Sequence, residues 1–152
     1  MDLFIVFEGQ RGKTGKIAGM LAERATEAGF TATAVDVEEA RALDITTADI
    51  IAVGCSAIVD TPFGGESTHA MSTFVSELPD LRGTPAIVFC TYRFFPHTFA
   101  DVTTRTAEIL GELEAAVERR GGTVISSHAI NRRHAVDGVA AIVSDLQRQL
   151  IV

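Results

Sequence analysis

Glu8-Gly9-Gln10-Arg11-Gly12-Lys13-Thr14-Gly15-Lys16 follows an apolar run, Leu3–Phe7, and runs straight into a segment of helical period. Glycines in such a turn let the backbone bend tightly and aim successive N–H groups at one point. The positive end of the helix that follows adds a field favourable to an anion. Lys13, Arg11 and the Thr14 hydroxyl complete a donor set suited to phosphate. The plainer alternative is a strand-to-helix turn kept tight for packing alone.

Outward from this loop, five apolar, β-rich runs alternate with helical segments: Leu3–Phe7, Thr31–Val37, Asp49–Cys55, Pro85–Cys90 and Thr123–His128. The first, third and fourth are nearly continuous hydrophobe, as expected of parallel strands covered on both faces. Between Lys13 and Ala28, Ile17, Leu21 and Ala25 recur every four positions, and Gly29 stops the helix. A stripe of Val102, Ile109, Leu110, Leu113, Ala116 and Val117 predicts a long helix from Phe99 to Arg120, closed by Gly121-Gly122. Val136, Val139, Ala140, Val143, Leu146 and Leu150 give a last helix at three- and four-residue steps. Shorter helices are expected at Glu38–Ala48 and at His69–Leu78, the latter ended by Pro79. No linker or internal repeat breaks the alternation, so residues 1–152 read as one α/β domain with right-handed crossovers. Ligands of such sheets bind beyond the carboxyl ends of the strands.

With 152 residues, 47% of them apolar and 22% charged, the chain can bury one substantial core. A net charge of −7 disfavours nucleic acid and anionic membrane, both of which call for a cationic face. It suits an acidic docking surface or simple solubility. The opening apolar run is too short for a signal peptide or a membrane span. Cys55 and Cys90 have neither metal-ligand nor C-x-x-C spacing, so a reduced, cytoplasmic setting is expected.

Three phosphate-binding patterns compete for the first loop. A Walker A loop needs glycine five residues before Gly12-Lys13-Thr14, and that position is Phe7. Gly9-x-x-Gly12-x-x-Gly15, with Asp36 closing the second strand, fits a dinucleotide-binding turn in which the acid holds a ribose. However, Tyr92 has Pro96 where a Tyr-x-x-x-Lys pair would need lysine. The third pattern covers more of the chain. Ile5–Ala18 resembles the first FMN-phosphate loop of flavodoxins, usually Ser/Thr-x-Thr-Gly-Asn-Thr before a Lys-Ile-Ala helix. Gly12 and Thr14 fall on the matching Gly and Thr, and Lys16-Ile17-Ala18 follows in register. Phe74–Gly83 also looks like the flavodoxin linker into the fourth strand.

The resemblance implies a flavodoxin-like three-layer fold, with a doubly wound parallel sheet of five strands in the order 2-1-3-4-5. It implies FMN as cofactor, its phosphate on Gly9, Gln10, Arg11, Gly12, Lys13 and Thr14. The ring would lie between a second loop, with Ser56, Ala57, Ile58, Val59 and Phe63, and a third, with Thr91, Tyr92, Arg93, Phe94 and Phe95. The chain departs from the family pattern at Gly9 and Arg11, where flavodoxins carry hydroxyls. It has aliphatic Ile58 and Val59 where an aromatic often stacks on the flavin, and it lacks the third loop's usual glycines. Tyr92, directly after the strand, is the better ring platform, while Arg93 beside a flavin would favour its anionic reduced form. The alternative for the aromatic loop is a subunit interface in a homodimer.

Outside these loops the residues read as structural. His69, His128 and His134 lack ligand spacing, and His97 of the aromatic loop reads as a hydrogen-bonded structural residue, with a proton relay as the alternative. Cys55 and Cys90 end neighbouring strands and read as core thiols, with a redox pair as the alternative. Arg132-Arg133-His134 reads as a solvated turn. The leading expectation is an FMN-binding electron-transfer protein that serves redox partner proteins. The alternatives are an FMN-dependent NAD(P)H or quinone-type reductase, and a flavodoxin-fold binding domain that has lost FMN.

Overall fold

Every residue from Leu3 to Phe7 is buried, and a run with no solvent-facing position can be satisfied only inside a covered sheet. The computed structural model describes residues 1–8, 13–40, 45, 47–56, 73–92 and 99–151. In it β1 spans Asp2–Phe7, α1 Lys13–Glu27, β2 Thr31–Asp36, β3 Ile50–Ser56 and β4 Pro85–Tyr92. They are followed by α2, Phe99–Arg119, β5, Thr123–Asn131, a 3-10 turn over Arg132–His134, and α3, Ala135–Ile151. The strands form one parallel sheet in the order β2-β1-β3-β4-β5, the order expected from the sequence.

Burial follows position in that order. All seven residues of β3 are buried, whereas the edge strands β2 and β5 show exposed positions along their length. On one face, Ile17, Leu21 and Ala25 of α1 and Val139, Ile142 and Leu146 of α3 pack over Ile5, Ile87 and Phe89. On the other, Ile109, Leu113 and Val117 of α2, with Phe74, Val75 and Leu78, cover Val6, Val53 and Val88. Three layers result.

Glycine ends α1 by a specific geometry. Gly29 has φ +104°, its N–H donates to the Thr26 carbonyl, and the Phe30 N–H donates to the Ala25 carbonyl. This is a Schellman closure, sealed by Phe30 turning into the core. The same pair of bonds recurs at Gly121 and Gly122, closing α2 onto Glu118 and Val117.

Two strands run longer than the sequence suggests. Pairing of Thr91 with Ile130 and of Tyr92 with Asn131 carries β4 two residues past Cys90 and β5 three residues past His128. Exposed Ser127 and Ala129, neither a strong strand former, hide the continuation of β5 in the sequence, since an edge strand needs only one buried face. A register shift at Ala86/Ile87 places Val124 opposite Ala86 and Ser126 opposite Ile87. After it, His128 faces α3 and its Nε2 lies 2.8 Å from Asp145 Oδ2. Of the helices expected at Glu38–Ala48 and His69–Leu78, residues 41–44, 46 and 69–72 lie outside the described residues; Glu38 and Glu39 are described and form a turn rather than a helix. Residues 73–76 are helical.

Candidate functional site

The polar groups of the sheet's carboxyl edge lie within one residue step of each other. Ser56 and Thr91 follow Cys55 and Cys90 at one level, and Glu8, which follows Phe7, lies one step below them; all three are buried. Glu8 extends the ladder, its N–H donating to the Gly54 carbonyl at 3.0 Å. Ser56 and Thr91 are partners in register on β3 and β4.

Thr14, in the first turn of α1, turns inward. Its hydroxyl and that of Thr91 share a hydrogen bond of 2.8 Å, with Thr14 2% and Thr91 0% exposed. A hydroxyl offers one donor and two acceptor positions, so this bond leaves each partner capacity for another. Lys13 and Lys16 are exposed, and the first turn of α1 carries no acidic residue. An anion at this end meets the positive helix terminus and two ammonium groups, with no carboxylate from that turn opposing it.

Arg132 is where the structure overturns a sequence reading. Its Nη2 donates to Ser56 Oγ, and its side chain is half-buried rather than solvated. Asn131 sets this up: its side-chain oxygen accepts the Arg133 N–H at 3.0 Å and caps the 3-10 turn. The sequence hid the contact because the end of β5 is placed three residues too early, which moves the turn away from the sheet's edge. Arg133 and His134 are exposed, as the sequence suggests.

Asp36 serves its own turn. It is buried, and its Oδ1 accepts the Glu38 N–H at 3.0 Å while its carbonyl accepts from Glu39 and Ala40. Tyr92 ends β4 half-buried, packed against the α2-side core. Beneath this edge Cys55 and Cys90 pair in register, both free thiols and fully buried. A hydrogen bond with the Cys90 thiol, then burial, then nearby negative charge including Glu8 and Glu112, hold the Cys55 thiol well above its usual pKa.

Of the sequence-derived site residues, the structure brings Thr14 and Thr91 into contact and sets Ser56 beside Thr91 on the next strand; Lys13 and Tyr92 lie at the same edge. Gly9, Gln10, Arg11, Gly12, Ala57, Ile58, Val59, Phe63, Arg93, Phe94 and Phe95 lie outside the described residues, as does His97. No group of three or more His, Cys, Asp or Glu suited to a metal ion occurs among the described residues. Nor is any described helix long and apolar enough to cross a membrane.

This arrangement defines a doubly wound α/β protein with an anion-compatible helix terminus at the carboxyl edge of its sheet. The family profile for flavodoxin matches residues 5–143, and the chain belongs to the flavodoxin family. Its fold is similar to the flavodoxin of Streptococcus pneumoniae TIGR4, with a TM-score of 0.75 at 15% identity over 98% of this chain and 99% of that one. A short-chain flavodoxin associated with a non-canonical PDU bacterial microcompartment gives 0.75 at 15% identity, over 98% of both chains. The two-electron reduced flavodoxin of Megasphaera elsdenii gives 0.71 at 19% identity, over 96% of this chain and 98% of that one. A search of curated proteins finds no match.

Proposed function

We propose that the chain is an FMN-binding electron carrier, a single cytoplasmic domain that hands electrons to redox partner proteins. The observation that carries this reading is the donor set at the carboxyl edge. The acid-free first turn of α1, Lys13 and the Thr14–Thr91 pair meet in a member of the flavodoxin family.

The residues fit the cofactor's phosphate by their chemistry. Gly9, Gln10, Arg11, Gly12, Lys13 and Thr14 would hold it, with the helix terminus and cationic side chains balancing its charge. Ser56, Ala57, Ile58, Val59 and Phe63 would flank one side of the ring, and Thr91, Tyr92, Arg93, Phe94 and Phe95 the other. Bound FMN supplies the redox chemistry, taking up and releasing electrons at its ring system. The protein's own part is to bind, orient and shield. Thr14 ties the start of α1 to the end of β4 through its bond to Thr91. The buried β3 and β4 ends close the site from below.

Titration of the purified apoprotein with FMN tests the reading, followed by the visible flavin bands and by quenching of flavin fluorescence. Saturable one-to-one binding is expected, with Lys13→Ala weakening it about tenfold through loss of one phosphate-facing charge. A colourless protein that refuses added FMN would overturn it.

A further inference from the structure

We infer that Arg132 is a phosphate ligand: its guanidinium reaches across the end of β4 on the α1 face of the sheet and joins Lys13 and Thr14 in holding the phosphate of the cofactor. The inference rests on the FMN reading above and adds to it a residue from the other end of the chain.

The faces of the sheet decide which part of a ligand Arg132 can meet. Side chains alternate along a strand, and residues paired in register on parallel strands face the same way. Ile87 and Phe89 of β4 pack beneath α1 and α3, and Thr91 is the next residue in that alternation. Its hydroxyl lies 2.8 Å from that of Thr14, in the first turn of α1, on the same face. Ser56 pairs with Thr91, so its Oγ opens on this face too. Arg132 Nη2 donates to that Oγ, which brings a side chain rooted beyond β5 across β4 to the end of β3. Neighbouring strands lie about 4.8 Å apart, so the guanidinium tip and the Thr14 hydroxyl are within about 11 Å of each other. A phosphate hydrogen-bonded on two sides can bridge such a span.

Charge is divided between the two faces in the same sense. The negative charge of Glu8 and Glu112 acts on Cys55, which belongs to the core beneath α2. The α1 face has Arg132 and Lys13 at its carboxyl edge. The first turn of α3 holds Asp137, whereas that of α1 holds no acid, so an anion between the two helix starts is drawn to α1. Arg132 is also held in place: the Asn131 cap directs its turn, and the Ser56 hydroxyl receives the tip of the side chain. Half-buried, its charge is screened less than it would be in bulk water, and its planar fork matches the oxygens of a phosphate.

The test titrates the full-length apoprotein and its variants with FMN, with riboflavin, which lacks the phosphate, and with inorganic phosphate. Arg132→Gln should weaken FMN binding about thirtyfold and leave riboflavin within about twofold of wild type. It should also abolish the rise in melting temperature that inorganic phosphate gives the wild-type apoprotein. Arg132→Lys, which keeps the charge without the fork, should fall between Arg132→Gln and wild type. Arg133→Gln, an exposed charge in the same turn, should change FMN affinity by less than about twofold. Thermal melts without ligand establish that the variants fold. Unchanged FMN affinity in Arg132→Gln, or equal losses for FMN and riboflavin, would overturn this inference alone, the second because Arg132 would then act as a brace between strands. An equal loss in Arg133→Gln also overturns it, since the effect would be one of overall charge. A wild type that refuses FMN but takes inorganic phosphate in an Arg132-dependent way sinks the electron-carrier reading and upholds the phosphate ligand. A wild type that takes neither overturns both.

Discussion

The two ends of the sheet are closed in different ways. At the amino edge, described elements are joined largely through backbone: Thr31 to Met1, Asp49 to Asp2, Leu81 to Arg120, Gly83 to Gly121 and Thr123 to Thr84. The side-chain bonds there also use a backbone partner, as when Asp49 accepts the Asp2 N–H or Asp80 the Arg82 N–H. At the carboxyl edge, two side-chain pairs join elements 77 and 76 residues apart in sequence, Thr14 with Thr91 and Arg132 with Ser56. Backbone closure fixes a structure and offers nothing further to a ligand. A hydroxyl that makes one bond keeps further donor or acceptor capacity, so an edge built from hydroxyls can bind without being taken apart. One end of the fold is an anchor and the other is the proposed site.

The largest effect is expected just below the site. A Cβ on Gly54 would lie 2.0 Å from Phe89 Cζ, because the buried Phe89 ring leans across β3 from the neighbouring strand. Neither the central strand nor the fully buried ring has room to retreat, so Gly54→Ala should cost about 3 kcal/mol by overpacking. Urea unfolding measures this directly. A loss well under 1 kcal/mol would show that the layer beneath the site yields, and that the rigidity assigned to the carboxyl edge is misplaced.

How much of this could be read from the sequence depends on what kind of signal each element gives. The layers and the central place of β1, β3 and β4 were legible because those strands are buried and β2 and β5 are not, while the strand order came with the flavodoxin resemblance. The contrast in burial is written in residue type. Gly29 and Gly121 stop their helices where the sequence places the ends. The end of β5 was not legible, since an exposed edge strand pairs through its backbone whatever its side chains are. Arg132 was lost with it. Charge beside a misplaced strand end looks like an ordinary solvated turn, and only the pairing of Tyr92 with Asn131 shows how close that turn lies to Ser56. Asp36 is the opposite case. An acid at the end of β2 suits a ribose, yet its carboxylate is engaged by the Glu38 N–H.

A matched pair of substitutions separates site from anchor. Thr14→Ala removes one partner of a buried hydroxyl pair and leaves Thr91, 0% exposed, short of it, at a cost of about 2 kcal/mol. Gly121→Ala forces a side chain into φ +84° with its Cβ 2.6 Å from Asp80 Oδ1, at about 1–2 kcal/mol. The two variants should thus melt at similar temperatures. FMN affinity should tell them apart, falling about tenfold in Thr14→Ala and staying within about twofold of wild type in Gly121→Ala. Equal affinities in the two would mean that the carboxyl-edge pair serves stability alone.

The smallest effect probes how sharply the apolar interior ends beneath the site. Cys55 lies one residue below Ser56, and its thiol is held well above the ordinary range by the Cys90 hydrogen bond, burial and nearby negative charge. In the unfolded chain the same thiol titrates near its reference value of about 8.5. Above that pH the unfolded state gives up a proton that the folded state keeps, so the folded state binds more protons and stability falls as pH rises. Below it both states are protonated and the group adds no slope. The slope from one such thiol cannot exceed about 1.4 kcal/mol per pH unit. Urea unfolding from pH 8 to 10 should therefore show wild type losing stability faster than Cys55→Ala, with the two curves parallel below about pH 8. In the folded protein both thiols should also react far more slowly with a thiol reagent than in urea, since neither is exposed. If the two proteins show the same slope above pH 9, water reaches Cys55, and the polar edge of the sheet begins one layer deeper than Ser56 and Thr91.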